Sequence, residues 1–265
     1  MENGKALLIV EDLEKTYGKG ENRTKALQGI SFEVAEGEFL GIMGASGSGK
    51  TTLLNCIATM IRPSAGRVLL EGRDVAAFKG KELADYRGRE IGYLFQDYQL
   101  LENLTARENI LLPLSLHGVS ASEAEPRVAE MAERLEISEV LDKFPSQMSG
   151  GQRQRVAAVR ALISDPEIVI ADEPTGALDS ANAGALMDKL LSVNRALGKT
   201  IVMVTHDANA ASFCSRILFI RDGRLFHELR RDTEKEAPAE FYGRIVEVLA
   251  TLRTAPAKEE ADDVL

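Results

Sequence analysis

Gly44-Ala45-Ser46-Gly47-Ser48-Gly49-Lys50-Thr51-Thr52 holds glycines, a lysine and hydroxyl residues in the order GxxxxGK[ST]. Glycines at that spacing let the backbone curl so that successive N–H groups point at one anion, and a helix opening at Lys50 adds the partial positive charge of its N-terminus. The lysine neutralises outer phosphates. The Thr51 hydroxyl is an oxygen ligand of the kind Mg²⁺ takes while sharing its coordination shell with a nucleotide. Further on, the apolar run Ile168-Val169-Ile170-Ala171 ends in Asp172 and Glu173. Such a run places both acids at the carboxyl edge of a parallel sheet, where open α/β folds bind ligands. Asp172 is the candidate for holding Mg²⁺ through water. Glu173 is the candidate for orienting or deprotonating a water that attacks a γ-phosphate. Two acids at a strand end are by themselves ordinary loop residues, and it is the phosphate loop upstream that gives them chemistry.

The elements that must hold these residues are short apolar runs rich in branched side chains. Ile30–Val34 alternates apolar and polar like a half-exposed antiparallel strand, whereas Phe39–Met43, Ile168–Ala171 and Ile201–Val204 are continuously apolar, as in a parallel sheet covered on both faces. Apolar residues at helical spacing predict helices over Lys50–Met60, Ser122–Glu136, Gly151–Ser164 and Ser180–Leu197. Strands alternating with helices give a three-layer α/β core. The stretch from Asn103 to Phe144 is helical by pattern with no strand, which makes it a separate lobe inserted in that core. Asp222-Gly223 predicts a hairpin turn within Arg216–Leu225. Phe241, Ile245, Leu249 and Leu252 line one face of a C-terminal helix, and the acidic segment 255–265 reads as a disordered tail.

Composition narrows the class. The 265 residues carry 32 Lys+Arg against 41 Asp+Glu, a net charge of −9, and are 45% hydrophobic and 28% charged, as in an ordinary globular protein. An acidic balance argues against gripping a nucleic-acid backbone, which depends on Lys and Arg neutralising phosphates. The two cysteines, Cys56 and Cys214, are far apart, so neither a disulfide framework nor a zinc site is indicated, and both are expected to pack as small hydrophobes. Ala6–Val10 is too short for a signal-peptide core, and no apolar run approaches the roughly 18 residues of a membrane-spanning helix. The expected compartment is a reducing cytosol, with any membrane connection made through a partner.

Between the phosphate loop and the acidic strand stands Met148-Ser149-Gly150-Gly151-Gln152-Arg153-Gln154-Arg155. Ser149 can cap the helix that follows, and two glycines expose backbone N–H groups to an anion, repeating the physics of the first loop. With this segment the sequence resembles the ATP-binding subunits of ABC transporters. The resemblance implies a P-loop NTPase (RecA-like) α/β core with an antiparallel β subdomain and an inserted helical subdomain. It also implies that the Ser149-Gly150-Gly151-Gln152 segment of one subunit closes over the ATP held by the phosphate loop of the other, in a head-to-tail homodimer that sandwiches two ATP. Other positions match the family one by one. Tyr17 is similar to the aromatic that stacks on adenine, and Gln96 to the glutamine that touches Mg²⁺ and the attacking water while its loop feels the membrane partner. Asp179 resembles the residue that communicates across the dimer, and His206 the histidine that contacts the γ-phosphate. The implied catalytic set is Glu173, His206, Gln96 and Lys50, and the implied Mg²⁺ set is Thr51, Gln96 and Asp172. The ATP set is Tyr17, Gly44 to Thr52, Gln96, Ser149 to Gln152 and Asp179.

The resemblance covers Leu7 to Arg230 and divides the chain into an ATPase domain, 1–235, with a helical lobe at about 100–165, a C-terminal helix at 236–254, and the tail. Within the family, the strings Phe95-Gln96-Asp97-Tyr98 and Thr175-Gly176-Ala177-Leu178-Asp179-Ser180 resemble the lipoprotein-releasing, macrolide-exporting and cell-division branch. Asn109–Leu114 and Ala210–Arg216 are most similar to the bacitracin-resistance type. That type serves a permease bearing a large extracellular domain, signals to a sensor histidine kinase, and works at the cytoplasmic face of the cell membrane. A soluble ABC ATPase of the chromosome type is disfavoured, since no sustained heptads separate Thr51 from Ser149. His117 and His227 read as surface residues, and Arg153 and Arg155 as partners of nucleotide or neighbouring acids. Tyr98, Leu100 and Leu101 either pack locally or form a groove for a coupling helix of the permease.

Overall fold

The computed structural model describes residues 5–254, so the expected tail at 255–265 lies outside the described residues. Two sheets organise the chain. In the first, β1 (Ala6–Tyr17) pairs antiparallel with β2 (Thr24–Ala35) on one side and β4 (Ala65–Leu70) on the other, with the two-residue β5 (Arg73–Asp74) at the edge. β1 runs well past its apolar start because register shifts along its pairing with β2 accommodate the charged residues that follow. In β2 the alternation from Ile30 to Val34 is realised as buried and exposed positions in turn.

The second sheet has the order β10-β9-β3-β8-β7-β6. Its members are β3 (Phe39–Met43), β6 (Ile91–Leu94), β7 (Ile168–Asp172), β8 (Thr200–Thr205), β9 (Arg216–Arg221) and β10 (Arg224–Arg230). All pairings are parallel except β9 with β10, which the left-handed Asp222-Gly223 turn joins as a hairpin. Every residue of β3 and β8 is buried, because each face of the sheet is covered. Leu40 and Ile42 point into a cluster shared with the first sheet, with Leu8, Ile30 and Leu54. Phe39 and Met43 point into a second cluster, with Ile110, Val156, Phe219 and Phe241. Each such side chain removed from water stabilises by about 1.5–3 kcal/mol.

The helices are α1 (Lys50–Ile57), α2 (Gly80–Asp85), α3 (Ala106–Leu116), α4 (Ala121–Arg134), α5 (Gly150–Leu162), α6 (Ser180–Leu197), α7 (Ala208–Ala211) and α8 (Pro238–Thr254). α1 stops three residues short of the expected Met60 because Thr59 turns to φ 59°. Capping boxes start α3 (Thr105 with Glu108), α4 (Ser120 with Glu123) and α5 (Ser149 with Gln152). α8 begins at Pro238 and seats Phe241 and Ile245 fully buried. Cys56 and Cys214 are both buried, and burial pushes the Cys56 thiol up to about 11. His117 departs from its surface expectation: it is half-buried, with Nδ1 2.8 Å from the carbonyl of Pro113, in the last turn of α3, where the His117 amide turns instead to the Leu114 carbonyl. Among the described residues no helix is long and apolar enough to cross a membrane.

Candidate functional site

The strand β3 stops at Met43 and α1 starts at Lys50, so the loop between them is fixed at both ends by buried elements. Gly44 has no room for a side chain, since a Cβ there would lie 2.2 Å from the Ile220 carbonyl oxygen and 2.6 Å from Ser48 Oγ. Gly49 has φ 102°, and a Cβ would stand 2.4 Å from the Ala26 oxygen. Both positions therefore require glycine. Lys50 is buried, and its Nζ donates to the Gly44 and Ala45 carbonyls at 2.9 Å each, so the ammonium is folded into the loop it would share with a phosphate. Burial lowers its amine from the usual lysine range, opposed by the nearby charges of Glu173 and Asp172.

A cleft of about 490 Å³ opens over this loop and is lined by Ala26, Ser46, Gly47, Gly49, Lys50, Thr51, Thr52, Glu173 and His206. From the lining of this cleft Thr51 Oγ1 donates to Asp172 Oδ1 at 3.5 Å. Burial and the adjacent Glu173 raise the Asp172 carboxyl above the usual range, with Thr51 and Lys50 pulling the other way. A hydroxyl and a carboxylate converging beside surplus negative charge form an oxygen donor set that fits Mg²⁺. Glu173 adopts the left-handed region at φ 46°, fixed there by its amide donating to Val204 O at 2.9 Å. Its Oε2 lies 2.5 Å from His206 Nδ1. A left-handed non-glycine residue is a strained placement of the kind found at functional sites.

The remaining sequence candidates lie outside this cleft. Ser149 caps α5 by accepting from the Gln152 amide at 3.2 Å, and its own amide donates back to Gln152 Oε1 at 2.9 Å. Gly150 and Gly151 open the same helix, so the second cradle exists in the chain but takes no part in lining the cleft over the first. Asp179 caps α6, accepting from the Asn182 amide at 2.9 Å and its side chain at 2.7 Å, and these bonds hold its carboxyl below the usual range. Tyr17 is exposed at the end of β1 with the Lys15 ammonium 5.2 Å from its ring centre. Gln96 is exposed and lies against Gly176, beside the loop that follows Glu173. Arg153 meets the Tyr98 ring, 4.8 Å away, in place of an acid. Tyr98 and Leu100 pack inward, which leaves Leu101, 46% exposed, as the member of the expected groove presented to solvent.

Sequence reasoning assigned no role to Gln154 or Arg160, which tie these loops together. Gln154 is fully buried, and its Nε2 donates to Phe95 O at 3.1 Å and Pro174 O at 2.7 Å, joining the segments on either side of Gln96 and Glu173. Arg160 donates to Tyr98 O at 2.8 Å and Gln99 O at 2.5 Å. The available signal was Gln154's phase: it shares its helix stripe with buried Ala157, Ala158 and Ala161, where a polar side chain needs partners.

Residues 27–176 match the family model described as ABC transporter. The chain is 48% identical over 229 residues to the bacitracin export ATP-binding protein BceA of Halalkalibacterium halodurans, covering 86% of this chain and 90% of that protein. It is 39% identical over 240 residues to the macrolide export ATP-binding/permease protein MacB of Hyphomonas neptunium, covering 90% of this chain and 37% of that longer protein. A solved dimeric ATP-binding cassette, in a post-hydrolysis state bound to ADP and Pi, superposes with a TM-score of 0.77 at 39% identity, covering 84% of this chain and 98% of that one.

Proposed function

The chain belongs to the ABC transporter family as an ATP-binding subunit that hydrolyses ATP, and on that premise we propose that it powers a separate permease protecting cells from bacitracin-like antimicrobial peptides. The observation that carries the reading is the extent of the match to the bacitracin export protein, which spans nearly the whole of both chains. The longer macrolide export relative supports a second reading, in which the mechanism is the same and the cargo is a macrolide.

In this reading the phosphates of ATP lie on the amides of Gly44 to Thr52, with Lys50 released from the Gly44 and Ala45 carbonyls to meet them. Thr51, Asp172 and Gln96 are the residues that would hold Mg²⁺, which would supply neutralisation of phosphate charge. Glu173 positions and deprotonates the attacking water. His206 turns one ring nitrogen to Glu173, which leaves Nε2 for the γ-phosphate. Gln96 must swing from its place beside Gly176 to reach the cleft, a motion its exposure permits. Tyr17 stacks on the adenine. Ser149 to Gln152 and Asp179, which do not line the chain's own cleft, act on the ATP of a second copy, which fits the dimeric cassette among the structural relatives.

The permease has a large extracellular domain, docks over the exposed Leu101 at the cytoplasmic face of the membrane, and signals to a sensor histidine kinase. The docking loop is rigid enough to transmit force, since buried Asn109 donates to Leu101 O at 3.1 Å, Leu104 O at 3.1 Å and Thr105 O at 3.0 Å. Affinity purification of the tagged chain from native membranes, followed by mass spectrometry and ATPase assay with and without bacitracin, tests the proposal. Co-purification of such a permease with peptide-responsive turnover is expected. A permease of the macrolide type with no response to peptide would overturn the substrate assignment.

A further inference from the structure

Tyr98 lies just past Gln96 and touches both the first turn of α5 and the loop before Asp179, neither of which lines the chain's own cleft. Its hydroxyl donates to the Ala177 carbonyl at 3.4 Å, in the loop leading to Asp179. Its ring lies 4.8 Å from the Arg153 guanidinium on the first turn of α5, and a Cβ on Gly150 would stand 3.0 Å from its hydroxyl. Arg153 Nε is buried with no hydrogen-bond partner, so the aromatic face is the group that accommodates this cation. Tyr98 and Gln99 are consecutive non-glycine residues in the left-handed region, at φ 59° and 50°, and Arg160 holds both carbonyls in that conformation. Such a placement persists only where the surroundings over-determine it.

We infer that Tyr98 is a positioning residue that fastens the signature turn of α5 and the Asp179 loop to the backbone of the Gln96 segment, so that the turn and the loop meet a second copy of the chain as one rigid unit. The inference rests on the reading that Ser149 and Asp179 act across a dimer. Tyr98 lines neither the phosphate cleft nor the Mg²⁺ oxygens, so its loss leaves the binding of ATP to a single chain intact and raises the cost of closing two chains together. Tyr98→Phe removes only the hydroxyl contact and keeps the ring under Arg153. Tyr98→Leu removes both.

The test places each substitution in a Glu173→Gln background and measures two quantities: binding of a fluorescent ATP analogue at a dilution where the chain is monomeric, and ATP-dependent dimer formation by analytical ultracentrifugation. A cation–π contact and a hydrogen bond together correspond to about a tenfold shift, and the hydrogen bond alone to about threefold. The ATP concentration for half-maximal dimer is therefore expected to rise about tenfold for Tyr98→Leu and about threefold for Tyr98→Phe, with monomer affinity within twofold of the parent. Dimerisation equal to the parent in both variants overturns the inference, as does a parallel loss of monomer affinity. A parent that stays monomeric in ATP overturns the dimer reading itself and this inference with it.

Discussion

Glu173 Oε2 and His206 Nδ1 lie 2.5 Å apart, one at the end of β7 and the other just after β8, so adjacent parallel strands deliver a carboxylate and an imidazole to the same point above the phosphate loop. The pair gives each residue a defined orientation before nucleotide arrives. Glu173→Gln keeps the side chain's size and removes its basicity, and general-base catalysis is worth about 10²–10⁴-fold. Hydrolysis should fall by that factor while ATP affinity changes little. A single-turnover assay beside a binding titration separates the two, and normal turnover would exclude Glu173 as the base.

Asp172 carries the clearest trade between stability and chemistry. Burial and the charge of Glu173 raise its carboxyl in the folded chain, so the folded state binds more protons than the unfolded state above about pH 3.8. Stability contributed by this group is present at low pH and is lost as pH rises through the raised value, leaving a penalty at neutral pH. Asp172→Asn removes the charge at constant size. Its melting temperature, without nucleotide, should exceed that of the unsubstituted chain at pH 7 and converge with it towards pH 4, while Mg²⁺-dependent hydrolysis is lost. A variant that melts lower at pH 7 would contradict the assignment.

Gln154→Leu tests the tie between the Gln96 and Glu173 segments. It strands two buried carbonyls, Phe95 O and Pro174 O, at about 1–3 kcal/mol each. For a domain of this size the melting temperature should fall by about 4 °C or more. Turnover should fall further than ATP affinity, because the loops that bring Gln96 and Glu173 to the nucleotide lose their common support. Equal stability to the parent would remove the structural role.

Leu101→Glu places a charge on the exposed residue after the Gln96 segment. Its backbone remains clamped by Asn109, so basal ATP hydrolysis of the isolated chain should be unchanged. Stimulation of hydrolysis by the reconstituted permease should disappear. Full stimulation would place the docking surface elsewhere.

The phosphate cradle was legible because its chemistry is local: three glycines, a lysine and a threonine lie between one strand and one helix. The buried strands β3, β7 and β8 were legible because continuous apolar runs have one common use. Less accessible were β4, whose first three residues are exposed and whose buried alternation is only Val68 and Leu70, β5, which is two charged residues, and the far half of β1, where register shifts interrupt the pattern. Long-range ties were invisible for a different reason. Gln154 reaches Phe95 and Pro174, and Arg160 reaches Tyr98 and Gln99, across distances in sequence that no spacing rule encodes. The histidine readings divided in the same way: His206 was placed by its strand, whereas His117 turns back on the Pro113 carbonyl at the end of α3, a contact set by where that helix stops.

Complementation between two inactive variants tests the central claim, that each ATP site is completed by a second copy. Lys50→Ala removes the lysine of the cradle and leaves the Ser149 segment intact, and Ser149→Arg blocks that segment and leaves the cradle intact. Each alone should be inactive. Mixed together, they form a heterodimer with one intact site, and a substantial part of the ATPase activity should return. Activity that remains absent on mixing would contradict a site shared between two chains.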